Sequence, residues 1–231
     1  MYKELKIEKV LKTISKLGKR IDERMPNSSL SKVCEGLLLT AKLAEKRIDN
    51  LLKPNKYIRT GVIAVIILFI LTIVYTFSLA EWHFIKPSIT DLIQLSEALI
   101  NDILLVSAAL FFLITYEQRK KRRDVLEELH TLRSIAHVID MHQLTKDPSM
   151  VNTELKKTPS SPSRSMTALE LQRYLEYCSE MFSIIGKIAA LFSERLPDPS
   201  IVSAANDIES LCTGLSRKVW QKMVFLGKSK S

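Results

Sequence analysis

The residues best suited to chemistry form a polar cluster in the middle of the chain: His130, Arg133, His137, Asp140 and His142. At 100° per residue on a helix, the first four share one face, whereas His142 points nearer to the apolar edge. His130 and His137 lie roughly 10 Å apart along a helix axis, so one metal ion between them would need ligands from elsewhere. His137 and Asp140 are close enough to pair, which would orient the imidazole for proton transfer or pH sensing. We interpret the cluster as a polar interaction face, solvated or in contact with another helix.

A second polar pair, Asn101 and Asp102, lies inside an otherwise apolar stretch. An ionised carboxylate within a membrane span is costly and often marks an ion path or a helix contact. If the span begins near Ala98, however, Asp102 lies only about 6 Å inside it, shallow enough to reach the lipid headgroups. Two interpretations stay open here: an interfacial position, and the polar lining of a narrow pore in an oligomer.

The sequence lacks the motifs of the common enzyme classes. It contains no Walker-type loop, dinucleotide fingerprint, nucleophile elbow or zinc-protease helix. With only 6 glycines, phosphate-cradling loops are not expected either. The three cysteines, Cys34, Cys178 and Cys212, have no metal-ligand spacing, and we interpret them as small apolar packing residues. We therefore expect a protein without enzymatic activity, cofactor or metal.

Two long apolar stretches must position these polar residues. The first, at about 60–80, comprises 21 residues without Asp, Glu, Lys, Arg or His. At a rise of about 1.5 Å per residue, this length crosses a hydrocarbon core of about 30 Å. The second runs from about 98 to 116 and contains Asn101 and Asp102. The sequence thus predicts a transmembrane hairpin over 56–118 with an external connector at 81–97, which could include a short amphipathic helix.

The distribution of basic residues predicts the orientation of this hairpin. Residues 1–59 carry fifteen Lys and Arg, and the connector carries only Lys86. Five more follow the second span directly, namely Arg119, Lys120, Lys121, Arg122 and Arg123. Both termini are therefore expected in the cytoplasm, and we expect the membrane to be a bacterial inner (plasma) membrane. Because the net charge of +9 concentrates beside the spans, anionic lipid is its expected partner and nucleic acid is not.

The flanking segments carry the apolar periodicity of amphipathic helices. Residues 1–55 predict one helical hairpin, 119–147 a helix continuous with the second span, 148–165 a linker and 166–231 a second hairpin. The predicted apolar stripes are, in chain order, Ile7, Val10, Ile14, Leu17 and Ile21; Leu30, Val33, Leu37, Ala41, Ala44, Ile48 and Leu51; Val125, Leu129, Leu132, Ala136 and Ile139; Leu171, Tyr174, Cys178, Met181, Ile185, Ile188 and Phe192; and Ile201, Ala204, Ile208, Leu211, Leu215 and Val219. Because an isolated amphipathic helix is marginal in water, we expect these five helices to pack as an all-α bundle.

The two predicted hairpins have similar turns. The residues 23–29 read Glu-Arg-Met-Pro-Asn-Ser-Ser, and 194–200 read Glu-Arg-Leu-Pro-Asp-Pro-Ser. Shared turn chemistry is the interpretation that we favour, and an internal duplication is the alternative.

From these patterns we expect a non-enzymatic integral membrane protein whose cytosolic helical bundle mediates homo-oligomerisation or the binding of a protein partner. The alternative is an oligomeric pore or channel-like effector, in which the two spans line a conduit and the bundle controls its opening.

Overall fold

The computed structural model describes residues 5–51, 53, 56–79, 89–146, 148 and 166–228. These residues form helices and short connections, without a strand among them, which confirms the predicted all-α class. The helices are α1 (Ile7–Arg24), α2 (Ser29–Leu51), α3 (Lys56–Leu79), α4 (Ile89–Leu144), α5 (Ala168–Arg195) and α6 (Pro199–Lys228). The predicted linker, apart from Pro148, and the first part of the predicted connector lie outside the described residues.

The chain divides into two compact units. The bundle consists of Met1–Leu52 and Asp124–Ser231, and the apolar unit consists of Lys53–Arg123. The bundle therefore contains α1, α2, the last part of α4, α5 and α6, whereas the apolar unit contains α3 and the first part of α4.

The bundle buries the apolar stripes that the sequence predicts. All five stripe residues of α1 and all five of the last part of α4 are buried. In α2, Cys34 takes the buried place that the prediction gave to Val33, and Leu51 at the end of the predicted stripe is only partly buried. In α6, Ala205 and Cys212 are buried, whereas Ala204 and Leu211 are only partly so.

Helix α5 is the centre of the bundle. It packs against α1, α2 and α6, and its buried residues extend well beyond the single predicted stripe. The additional buried residues are Leu175, Tyr177, Phe182, Ile184, Gly186, Ala189 and Leu191. A helix with neighbours on several sides loses its polar face, which is why α5 is apolar over most of its circumference.

The two hairpin turns begin in the same way. The helices α1 and α5 are followed by the C-cap residues Met25 and Leu196, whose backbone N–H groups donate to carbonyls four residues earlier at 2.7 and 3.0 Å. They then diverge. The first turn uses Asn27 in the left-handed region, with φ 57°, and the Ser28 hydroxyl accepts from the N–H of Ser31 to cap α2. In the second, Pro199 is already the first residue of α6, where its missing N–H costs nothing.

The beginning of α5 carries a capping box. The Thr167 hydroxyl accepts from the N–H of Glu170 at 3.3 Å, and the Glu170 carboxylate accepts from the N–H of Thr167 at 2.7 Å. These hydrogen bonds lower the pKa of the exposed Glu170 carboxyl, chiefly through the backbone N–H of Thr167. The box fixes where the central helix of the bundle begins.

In the apolar unit, α4 begins at Ile89 rather than near Ala98. The residues 89–97, which the sequence placed in the external connector, are the first turns of α4. Near the beginning of α3, Gly61 faces Leu113: a Cβ added there would lie 3.9 Å from its methyl carbons. The Lys121 ammonium donates to the carbonyl of Lys53 at 3.3 Å. Both contacts place the start of α3 beside the 113–121 part of α4.

Candidate interaction surfaces

The apolar unit exposes its apolar side chains instead of burying them. None of the described side chains of α3 is buried, and none of those between residues 89 and 123 of α4 is. Within the part of the chain that the structure describes, two helices are long and apolar enough to cross a membrane, and the most apolar 18-residue stretch of each has no buried residue. The large exposed residues include Ile67, Leu68, Ile70, Leu71, Val74, Ile103, Leu104, Leu105, Phe111 and Phe112. Each Å² of apolar surface left in water costs about 25 cal/mol, and contiguous exposed apolar surface is typical of sites that contact a protein or a membrane.

Asn101 and Asp102 lie on α4 within this exposed surface. Asn101 is exposed and Asp102 is partly so. In the part of the chain that the structure describes, no hydrogen bond or ion pair involves either side chain. The structure therefore leaves both the interfacial and the pore-lining interpretation in place.

The basic run 119–123 is partly tied into the apolar unit. Lys121 pairs with Glu117 at 2.8 Å, besides its hydrogen bond to Lys53. Arg119, Lys120 and Arg123 are exposed. The run therefore keeps several cations at the surface while one of them connects the end of the apolar part of α4 to the beginning of α3.

The polar face of α4 is on the surface of the bundle. His130, Arg133 and His137 are exposed, whereas Asp140 is half-buried. His137 and Asp140, which have the spacing to pair, form no ion pair or hydrogen bond with each other among the described residues, and the Asp140 carboxylate accepts from the amide Nε2 of Gln143 at 2.5 Å. Among the described residues no group of three His, Cys, Asp or Glu is arranged to hold a metal ion.

Sequence reasoning missed a polar cluster that joins the end of α4 to α5 and α6. Gln143 is 1 % exposed, and the Lys222 ammonium donates to its carbonyl at 2.7 Å and to that of Lys146 at 3.4 Å. The Lys146 ammonium lies 5.7 Å from the ring centroid of Tyr174, whose buried hydroxyl has no partner among the described residues. Lys222 thus supplies a cation and donors to carbonyls at the end of a helix, where the helix itself provides none.

A signal for this cluster was present in the sequence. Gln143 continues the apolar stripe of α4 four residues after Ile139, and Lys222 occupies the place between Val219 and Leu226 in α6. A polar residue at a stripe position has to find a partner inside the core. Lys222 donates to the backbone carbonyl of Gln143, and the Gln143 side chain donates to Asp140.

Beside this cluster lies an open groove of about 410 Å³. Leu144, Pro148 and Phe225 form its apolar wall, and Lys218 and Lys222 contribute cations. Leu144 and Phe225 are largely exposed, so the groove belongs to an apolar patch at the end of the bundle away from Asp124.

Ion pairs connect the bundle's helices at two places. The Arg47 guanidinium of α2 lies 2.7 Å from Glu128 and 3.8 Å from Asp124, both on α4, and the Glu128 side chain is only 11 % exposed. Arg20 of α1 pairs with Glu180 of α5 at the surface, 2.5 Å away. The first pair shields a carboxylate from the apolar core, whereas the second lies in solvent.

All three cysteines are free and buried, as the packing interpretation requires. Burial raises the pKa of the Cys34 and Cys212 thiols from 9.0 to about 11, and that of the Cys178 thiol to about 12. Thiolate is the reactive form of cysteine, so these thiols are chemically inert at neutral pH.

Comparison of this chain with protein-family models, with curated proteins and with solved structures found no match.

Proposed function

We propose that this chain is a non-enzymatic integral membrane protein whose bundle mediates oligomerisation or the binding of a partner at the membrane. In this proposal α3 and the 98–116 part of α4 cross the bilayer as a hairpin, and both termini lie in the cytoplasm.

One observation carries the membrane part of the proposal: the apolar unit has the apolar composition of a protein core but no core of its own. Its large side chains, such as Leu68 and Leu104, are exposed. Lipid tails are the apolar surrounding that fits helices of this length, because every backbone hydrogen bond in them is made within the helix. The basic residues before α3 and at 119–123 favour the cytoplasmic side for both ends.

The assembly part of the proposal is supported by what the bundle leaves at its surface. Leu39, Met141, Leu144, Trp220 and Phe225 are all more than half exposed, although each belongs to a helix with a well-buried stripe. A folded bundle that keeps several large apolar side chains outside is suited to contact with another protein.

Membrane integration is tested by extraction and by topology reporters. The full chain is expected in the pellet after extraction of membranes with alkaline carbonate. A fluorescent reporter that folds only in the cytoplasm is expected to be active at either terminus, and a reporter that needs export is expected to be active when inserted at 81–88. Release of the chain by carbonate, or an exported C-terminus, would contradict the proposal.

A pore is the second candidate function, and Asn101 and Asp102 favour it because they place polar groups on an exposed apolar helix. The purified chain in liposomes would then pass ions, and Asp102→Leu would reduce the flux. An absence of flux at all protein-to-lipid ratios would exclude the pore and leave the scaffold.

A further inference from the structure

One side of α6 carries a stripe of exposed residues, and two of its members, Glu209 and Thr213, also line the groove between α6 and α5. The stripe recurs at intervals of three and four residues, so its members lie in one row along the helix. Its members are Val202, Asn206, Glu209, Thr213, Arg217, Trp220 and Val224. We call this row the α6 stripe. Trp220 is 63 % exposed, which is unusual for a side chain that gains so much from burial.

The charges of α6 are segregated along its length. From 196 to 209 the acidic residues are Asp198, Asp207 and Glu209, and there is no Lys or Arg. From 210 to 231 there are five Lys and Arg and no acidic residue. The helix dipole favours anions at the beginning and cations at the end of a helix, but this effect decays within the first and last turn. It does not account for Glu209 or Arg217, which lie in the middle of the helix.

Glu209 and Arg217 also lack ion-pair partners within the described part of the bundle. They are roughly 12 Å apart along the axis of their own helix, too far to pair with each other. Lys187 lines the same groove as Glu209, but its ammonium donates to the Ser183 hydroxyl at 2.6 Å. Two opposite charges in one row, four residues on either side of Thr213, are therefore exposed without an ion-pair partner among the described residues.

We propose that the α6 stripe binds the α6 stripe of a second copy of this chain, antiparallel, about a two-fold axis at Thr213. In that arrangement residue numbers that sum to 426 face each other. The facing pairs are Val202 with Val224, Asn206 with Trp220, Glu209 with Arg217, and Thr213 with its own symmetry mate.

Each facing pair is chemically complementary. Two valines bury apolar surface together at each end, and the indole of Trp220 covers Asn206 next to Val202. Glu209 and Arg217 form an ion pair twice, once on each side of the axis. A two-fold contact of this kind pairs one surface with itself, as most homo-oligomers do.

The alternative arrangements fit less well. A parallel pair of α6 helices would bring Arg217 against Arg217 and Glu209 against Glu209, and like charges in contact oppose association. A different protein bound at the α6 stripe would need its own matching row of charges. Charge reversal distinguishes such a protein from a second copy of this chain.

This inference deepens the proposed function by naming the partner, and it rests on that function in one respect. An exposed two-helix contact is small for a stable dimer in solution. Confinement of both copies to one membrane raises their effective concentration and makes a weak contact sufficient.

The test uses the full chain in proteoliposomes and a thiol crosslinker of short reach. Thr213→Cys is expected to give a crosslinked dimer, because the two introduced thiols meet at the axis. Thr131→Cys, at an exposed position on α4, is the matched control and is expected to stay monomeric. The native cysteines contribute little background, since they are buried. Equal crosslinking at both positions, or none at Thr213→Cys, would overturn the proposal.

Charge reversal identifies the partner. In the Thr213→Cys background, Glu209→Arg and Arg217→Glu should each weaken dimerisation by about tenfold, since each places like charges together twice. The double variant Glu209→Arg/Arg217→Glu should restore the unmodified dimer to within about threefold, because the ion pairs form again with reversed sign. A double variant as weak as the singles would overturn the self-pairing.

The two proposals fail in different ways. If the chain is recovered in the soluble fraction, membrane anchorage is wrong. The same crosslinking and charge-swap series then decides on the α6 stripe in buffer at high protein concentration, where mass action replaces confinement to the membrane. If the chain stays in the membrane and the crosslinks are absent, only the α6 pairing is wrong.

Discussion

The bundle and the apolar unit are both helical and contain similar apolar residues, but the bundle buries these side chains and the apolar unit exposes them. In the bundle, Phe182 and Phe192 are 0 % exposed, whereas in the apolar unit Phe111 and Phe112 are 72 % and 68 % exposed. The difference follows from periodicity. An apolar stripe at intervals of three and four predicts another helix as the partner, and a helix apolar on all sides predicts a partner that surrounds it.

Truncating one phenylalanine in each unit gives the largest contrast. Phe182→Ala should lower the free energy of unfolding of the bundle by about 3–5 kcal/mol, because it leaves a cavity in a close-packed core. Phe111→Ala should leave the unfolding of the bundle unchanged. Thermal unfolding in detergent, followed by circular dichroism, measures both, and equal losses would contradict the division into two units.

Introducing a charge should have the larger effect in the apolar unit, where it opposes membrane insertion, and the smaller effect in the bundle. Leu68→Arg places a guanidinium in the middle of α3 and should oppose membrane insertion by about 2.5–3.5 kcal/mol. Leu39→Arg, at an exposed position of α2 in the bundle, is the matched control and should insert as the unmodified chain does. The measurement is the fraction of chain resistant to carbonate extraction, and a similar fraction for both variants would argue against α3 as a span.

Within the bundle, the two ion pairs should differ in their contribution to stability. Arg47→Ala leaves the Glu128 carboxylate nearly buried without its cation and should cost about 2 kcal/mol. Arg20→Ala breaks an exposed pair and should cost less than about 1 kcal/mol. Adding Glu128→Gln to Arg47→Ala should recover part of the loss, since it removes the unpaired charge. Chemical denaturation of all variants tests this order, and a larger loss for Arg20→Ala would contradict it.

The smallest effect concerns the start of α5. Thr167→Ala removes the hydroxyl that accepts from Glu170 and should cost about 1 kcal/mol. Thr167→Ser keeps the acceptor and should cost a few tenths at most. An unchanged midpoint for Thr167→Ala would mean that the capping box does not stabilise the bundle.

Much of the fold follows from the sequence because its helices are strongly periodic. The stripes of α1 and of the last part of α4 are buried residue for residue as predicted. The extent of burial of α5 did not follow from its own pattern, because it depends on how many helices surround it. The start of α4 at Ile89 was also not evident: residues 89–97 contain polar side chains that resemble a connector, yet no Pro or Gly interrupts the helix there.

The candidate sites follow less directly from the sequence, because the packing of the helices determines which polar side chains come within hydrogen-bond distance. His137 and Asp140 have the spacing of a pair, but Asp140 bonds instead to Gln143, whose amide is held beside it by burial. Arg47 and Glu128 are distant in sequence and carry no motif, so only the packing of α2 on α4 brings them together.

The central place of α5 has a consequence for synthesis. Its partners α1 and α2 leave the ribosome first, and more than a hundred residues separate the end of α2 from the beginning of α5. At about 5–20 residues per second, α5 follows the end of α2 roughly 6–23 s later, and for that time the N-terminal hairpin lacks the part of its apolar cover that α5 provides. A chain truncated before Ala168 never acquires the cover, and we expect such fragments to depend on chaperones and to be degraded rapidly.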